Sequence, residues 1–241
     1  LLSSWALGAM LLLSPEASTA QQNPREVFDK AIETLGGSAY LGVTDMTGGG
    51  RIYQFQRGEL VEAEVFTDYV RYPDQERTEF GEDGESVRIN NRSSEGWNIN
   101  DGEVEAQLEE QIQVFWEEFK VSLDYLLRVV VEQPEATLQY VGRDMIDFKR
   151  VDILEIRDED RTRINLYIDR ESGILMKKTV RRVDDPRIHE EVYSNYHDFQ
   201  SVLTPLLINR YTDGLKTAEV RFDTVAYNSN LADRLFMPVV E

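Results

Sequence analysis

Few side chains in this sequence have the type and spacing that chemistry requires. The two histidines, His189 and His197, lie in IHEEVYSNYHDF, with Glu191 between them. On one strand face they would form a metal site only if they could converge on one ion. Eight residues of strand at ~3.3 Å each separate them by about 27 Å, too far to share a ligand sphere. HEEVY also lacks the second histidine of the HExxH zinc motif. They read as solvated strand histidines. The chain has no cysteine, which removes disulfides, thiolate nucleophiles and Cys-ligated zinc together. No GxSxG elbow occurs either.

Carboxylates are so abundant that no catalytic pair is marked among them. The clusters Asp158-Glu-Asp160 and Asp184-Asp185 fall where strands should end, and neither has the spacing or central glycine of an EF-hand loop. Gly48-Gly-Gly50 is the one glycine run that could cradle phosphate. It lacks GxGxxG or GxxxxGK spacing and precedes a strand pattern, not a helix. With 26 Lys and Arg against 45 Asp and Glu, the formal charge is −19. That excludes a nucleic-acid partner, which needs a positive footprint; a basic protein partner would suit such a surface. No catalytic group, cofactor or metal is called for, and the chain reads as a non-enzyme.

The elements say more. The stretch 151–184 is organised as an antiparallel meander. Ile164, Leu166 and Ile168 alternate with Arg163, Asn165 and Tyr167, the period of a half-buried strand. Asp169 to Gly173 supplies a turn, and Ile174, Met176 and Val180 then share a face in the returning strand. One sheet face is therefore apolar and must be covered.

Residues 1–20 read as a secretory signal peptide. An apolar run from Trp5 to Leu13 precedes Pro15 and the small-residue site Ala17-Ser-Thr-Ala20, and it is too short to span ~30 Å of hydrocarbon. The mature chain, 21–241, is expected to be one exported, periplasmic domain. Asn23-Pro24 starts an amphipathic helix whose Val27, Phe28, Ala31, Ile32 and Leu35 share one face, and Gly36-Gly37 ends it. Turn signals every eight to twelve residues then mark short strands. From Glu103 to Val131 apolar residues recur at three and four, among them Val104, Leu108, Phe115, Trp116 and Phe119. This predicts one long helix, or two joined near Lys120–Ser122, before the strands resume after Pro134.

In order, these elements resemble the LolA-like carriers of outer-membrane lipoproteins and the wider group of periplasmic lipid-binding half-barrels. The resemblance rests on Tyr69-Val-Arg-Tyr-Pro73 with Arg77-Thr-Glu-Phe80, on Asn91 to Trp97, on the hairpin Ile164–Met176 and on Leu235-Phe236-Met-Pro238. It departs at Tyr72, where the lipoprotein carriers have a latch arginine before the proline; Arg71 would point to the other face.

The expected fold is α+β and mainly β: a single antiparallel sheet of about ten or eleven strands, curled into an incomplete barrel and covered on its concave side by two or three helices. The resemblance implies a monomeric carrier or sensor for a hydrophobic ligand, an acyl chain or a lipoprotein's lipid moiety, held between sheet and helical lid. The alternative is a non-catalytic interaction module of the same fold with a filled core. Cavity candidates are Tyr53, Phe55, Val65 and Trp97 from the early strands, and Phe115, Trp116 and Phe119 from the helical segment. Ile164, Leu166, Ile168, Met176 and Val180 would form the floor.

Overall fold

The computed structural model describes residues 22–91 and 95–238; the expected signal peptide and part of the Asn91–Trp97 motif lie outside them. Thirteen strands form one antiparallel sheet that does not close, with a few helices packed on it. The first half comprises β1 (Asp45–Gln56), β2 (Glu59–Arg71), β3 (Gln75–Phe80), β4 (Ser86–Asn91), β5 (Glu95–Asn100) and β6 (Glu103–Ala106). The second comprises β7 (Thr137–Ile146), β8 (Lys149–Arg157), β9 (Arg163–Asp169), β10 (Leu175–Arg181), β11 (His189–Phe199), β12 (Val202–Thr212) and β13 (Leu215–Tyr227).

Each half is a meander, and the two join where β1 pairs with β13 in the middle of the sheet. The remaining ends, β6 and β7, become its two edges. The segment linking them must therefore cross the sheet from edge to edge. It does so as α3 (Glu109–Lys120) and α4 (Leu123–Arg128), followed by a 3-10 turn, Val130–Glu132. Topology, before any side chain is considered, lays this crossover over one face.

The other cover is α1 (Pro24–Leu35), followed by the single turn α2 (Ser38–Leu41). The Asn23 side chain caps α1 by accepting from the Arg25 amide at 3.0 Å, and Pro24 spends no helical donor at the first position. All five predicted apolar residues of α1 are buried. They belong to one core with Leu126, Leu127 and Val130 of the crossover and with Leu154, Ile156, Ile164, Leu166, Ile168 and Leu175 of the sheet. Lys30 Nζ donates to the carbonyls of Arg170 and Glu171 at 2.6 and 3.0 Å, fixing α1 on the β9–β10 turn. In that turn Asp169 Oδ1 accepts from the amides of Glu171 and Ser172, and Gly173 takes φ +78°.

Two expectations change and one open alternative is settled. The helix expected from Glu103 begins only at Glu109. Asp101 and Gly102 both take positive φ (50° and 81°) and close a β5–β6 hairpin, so Val104 sits in a strand. The helical segment divides at Val121–Ser122, the second of the two forms expected. Gly48, Gly49 and Gly50 lie inside β1 rather than before it. Gly48 leaves room for the Phe222 ring, since a Cβ there would meet its Cε1 at 2.8 Å. The closing Leu235-Phe236 segment forms a 3-10 turn (Asp233–Phe236) on the outer face. It is held by Arg71 and Arg77, which donate to the Leu231 and Leu235 carbonyls, and by Asn91, which donates to Phe236 O at 2.6 Å.

Candidate functional site

The crossover does not seal the concave face completely. Where α1 and α4 lie on β8–β10 the space is filled by the protein's own side chains: Ile164 is fully buried, and Leu166 and Ile168 are 1 % exposed. Beside this packed region, a cavity of about 850 Å³ opens between α3 and strands β1–β3 and β10–β13. Phe66, Phe80, Phe222, Val114, Phe115 and Phe119 give it apolar walls, with Phe66 and Phe222 edge to face at 5.4 Å. Val114, 60 % exposed, and Glu110 mark its open side along α3.

The predicted residues divide among three places. Phe115, Phe119 and Val180 line the cavity. Trp116 flanks it, stacked on Phe119 (centroids 5.9 Å apart) and edge-on to Tyr125 at 5.6 Å, so the aromatic group ties α3 to α4. Ile164, Leu166 and Ile168 share the face of Val180 but lie in the packed core, not on the cavity wall. Met176 is the extra residue of a bulge. Leu175 pairs with Ile168 and Lys177 with Tyr167, so Leu175 takes the buried position that alternation assigned to Met176.

Tyr53, Phe55, Val65 and Trp97 are on the outer face. Their strand neighbours Ile52, Gln54, Phe66 and Asn98 line the cavity, and a period of two turns each adjacent side chain away. Tyr53 instead lies under the Arg221 guanidinium at 5.4 Å, and Phe55 under the Lys216 ammonium at 4.7 Å. Trp97 packs on a second small cluster of Val87, Ile89 and Ile99. The expected inner positions of these residues are thus reversed: cation–π contacts hold Tyr53 and Phe55 outside, and the outer cluster holds Trp97 there.

Sequence reasoning missed the polar part of the wall. Lys178 is 2 % exposed, yet carries a charge. Its Nζ donates to Val121 O at 2.5 Å and meets Glu191 Oε2 at 2.8 Å. Tyr193 OH donates to the same oxygen at 2.6 Å, and Arg210 Nε lies 3.1 Å from Glu191 Oε1. Burial pushes the Glu191 carboxyl up, but Lys178 and Arg210 outweigh it and hold its pKa at about 2. Nearby, Thr78 Oγ1 donates to Asp68 Oδ1 at 3.0 Å, while burial and then the Glu76 charge push Asp68 well above the usual carboxylate range. A signal for Lys178 was present in the sequence, since the alternation of Ile174, Met176 and Val180 sets position 178 on their face; its pairing with Leu166 across β9–β10 turns it inward.

Tyr72, where the resemblance to the lipoprotein carriers departs, lines the cavity and donates to Asp124 Oδ2 at 2.8 Å. It thereby ties the end of β2 to α4. The Arg128 guanidinium stands 4.4 Å over the rings of both Tyr72 and Tyr40 and donates to Val43 O at 3.0 Å. Arg71 points to the outer face, as alternation required, and lies over the Phe236 ring at 4.7 Å. His189 and His197 do not converge: His189 reaches Asp185 Oδ2 at 3.0 Å, while His197 is exposed beside Asn195. Among the described residues, no group of three or more His, Asp or Glu is placed to hold a metal ion.

No protein-family model matches the chain, and no curated protein matches it in sequence. Solved structures do match its shape. A domain from Vibrio parahaemolyticus, described as outer membrane lipoprotein-sorting, is 10 % identical with a TM-score of 0.62, covering 89 % of this chain and 97 % of its own. A LolA superfamily protein from Nitrosomonas europaea is 9 % identical with a TM-score of 0.61, over 90 % of this chain and 98 % of its own. A DUF1329 family protein from Desulfovibrio piger reaches 0.57 at 13 % identity, over 90 % and 98 %. At such identities the likeness concerns architecture: this chain has the LolA-like fold.

Proposed function

We propose that this protein is an exported, non-catalytic carrier or sensor that holds a hydrophobic ligand, an acyl chain either free or as the lipid moiety of a lipoprotein. The observation that carries this reading is the cavity of about 850 Å³ with aromatic walls under the helical crossover. Its volume lies within the ~300–1,000 Å³ of sites that engulf small ligands. Each methylene moved there from water contributes about 0.8 kcal/mol, so affinity needs no chemistry. The packed region under α1 and α4 is what the alternative, a structural interaction module, would show throughout; the open volume beside it favours carriage. The apolar segment Trp5–Leu13 with Ala17–Ala20 supports export, and N-terminal sequencing of secreted protein should find a start near Gln21.

The test is binding of a fluorescent fatty-acid probe, with native mass spectrometry of protein purified from cells to reveal co-purified lipid. Leu166 lies in the packed core, so the residue to change is Phe115 on the cavity wall. Phe115→Glu sets an unpaired carboxylate against the acyl chain, and probe affinity should fall about tenfold or more. Phe115→Leu should bind nearly as wild type, with circular dichroism confirming that both fold. A wild type that binds neither lipid nor probe overturns the carrier reading.

A further inference from the structure

The cavity is not uniformly apolar, and its charged groups do not cancel. Three carboxylates on its wall each have a cation of their own. Glu191 has Lys178 at 2.8 Å, Glu76 has Arg88 at 3.5 Å, and Glu118 has Arg182 at 2.9 Å. Asp68 is pushed toward its neutral form by burial, and Asp124 is engaged by Tyr72 and Arg128. Glu110 stands at the open side, on the exposed surface of α3. His189 lines the wall but is turned to Asp185.

Arg210 is the cation left over. Its Nε lies 3.1 Å from Glu191 Oε1, the Glu118 and Glu76 charges also act on it, and among the described residues no hydrogen bond is made by its two terminal nitrogens. Half of its side chain, 49 %, is accessible although β12 lies deep in the sheet, because it faces the cavity. A guanidinium presents its donors as a planar fork that fits a carboxylate or a phosphate. Within a protein of formal charge −19, a guanidinium whose terminal donors face the cavity between its aromatic walls and its paired charges is a local feature, not a consequence of general basicity.

We propose that the cavity takes an amphiphile with an anionic headgroup, its carboxylate or phosphate oxygens accepting from the terminal nitrogens of Arg210 while its chain lies against Phe66, Phe115 and Phe222. This rests on the carrier reading and narrows it: a fatty acid or a phosphorylated lipid is the ligand class, in preference to a neutral lipid. Lys178 and Glu191 act as positioning residues, since Glu191 fixes the Arg210 Nε edge and leaves the other edge to the ligand.

The test uses three probes of one chain length, dodecanoate, dodecyl phosphate and methyl dodecanoate, titrated by competition against a neutral fluorescent probe such as a dipyrrole-labelled methyl ester. The wild type should bind at least one anionic probe about tenfold or more tighter than the ester, and the tighter of the two identifies carboxylate or phosphate. Arg210→Gln should remove that preference and leave ester affinity unchanged; Glu191 keeps Lys178 and Tyr193, so the wall retains its pairing. Arg221→Gln on the outer face should change nothing. Equal binding of all three probes by the wild type, or a preference that survives Arg210→Gln, overturns the headgroup inference while the carrier reading stands. Binding of none of them, the neutral fluorescent probe included, overturns both.

Discussion

Glu191 is the side chain on which the polar wall depends. Two cations and a tyrosine hydroxyl converge on its two oxygens, and their combined pull exceeds the cost of burial. Its folded pKa of about 2 lies below the ordinary 4.5, so the native state holds its charge more firmly than the unfolded chain does. The stability this supplies is complete above the ordinary value and is lost as pH falls through the folded one. Acid unfolding of the wild type should therefore show a loss between roughly pH 4.5 and 2 that chemical-denaturation curves can follow. Glu191→Gln should flatten that loss and lower stability near neutral pH by about 3 kcal/mol, because Lys178 would remain buried without a counter-charge. An unchanged acid profile in the variant would show that Glu191 is not the group responsible. Lys178 lies on the face that Ile174, Met176 and Val180 share by alternation, yet a lysine in a strand is normally assigned to water, and its pairing with Leu166 is what fixes it inside.

At the scale of elements, the crossover is held by buried apolar anchors and by polar ties spread along it, among them Lys178 to Val121 O and Arg182 to Glu117 O under α3 and Arg128 to Val43 O from α4. Phe119 and Leu126 anchor it by burial, and Tyr72 to Asp124 fastens α4 to the end of β2. In Tyr72→Phe the ring and its contact with Arg128 remain and only the hydroxyl is lost. Such a change costs about 1 kcal/mol. Because the tie is local, amide exchange of residues 123–128 should accelerate more than that of β8–β10, and probe entry should quicken. Uniform acceleration across the sheet would show that the hydroxyl serves global stability rather than the crossover. The sequence signals for these elements were uneven. The 3.6-residue period located the helical crossover and left open one helix or two joined near Lys120–Ser122, whereas β6 fell into the helical stripe because Val104 happens to continue its spacing. Asp101-Gly102 was the contrary signal, a two-residue hairpin turn that outweighs four residues of accidental periodicity.

For the whole molecule, the decisive joint is the seam between β1 and β13, which makes one sheet of two meanders. Gly50 lies at a bulge in that seam, where a Cβ would stand 1.9 Å from the Arg221 carbonyl oxygen. Backbone cannot yield there as a side-chain tip can, so Gly50→Ala should lower global stability by about 2 kcal/mol or more, read as a shift in denaturant midpoint. Gly58→Ala, in a hairpin with open space around it, is the control for strain of conformation alone. If both variants shift the midpoint equally, crowding at the seam is not the cause. Local chemistry read from sequence alone was enough to specify the mainly-β fold, the capped α1, the β9–β10 hairpin and the apolar helical crossover, because periods of 2 and 3.6 and turn residues act over a few neighbours. It also showed that one sheet face must be covered. Which face each early strand presents was decided only in the tertiary structure: a bulge shifted alternation by one residue and exchanged Met176 for Leu175, while an unshifted period of two does not itself say which of its faces is the inner one, and Tyr53, Phe55, Val65 and Trp97 fall on the outer. The division of the concave side into a packed half and an open half was likewise tertiary: it depends on how far α1 and α4 reach across a 13-stranded sheet, a distance no local pattern encodes.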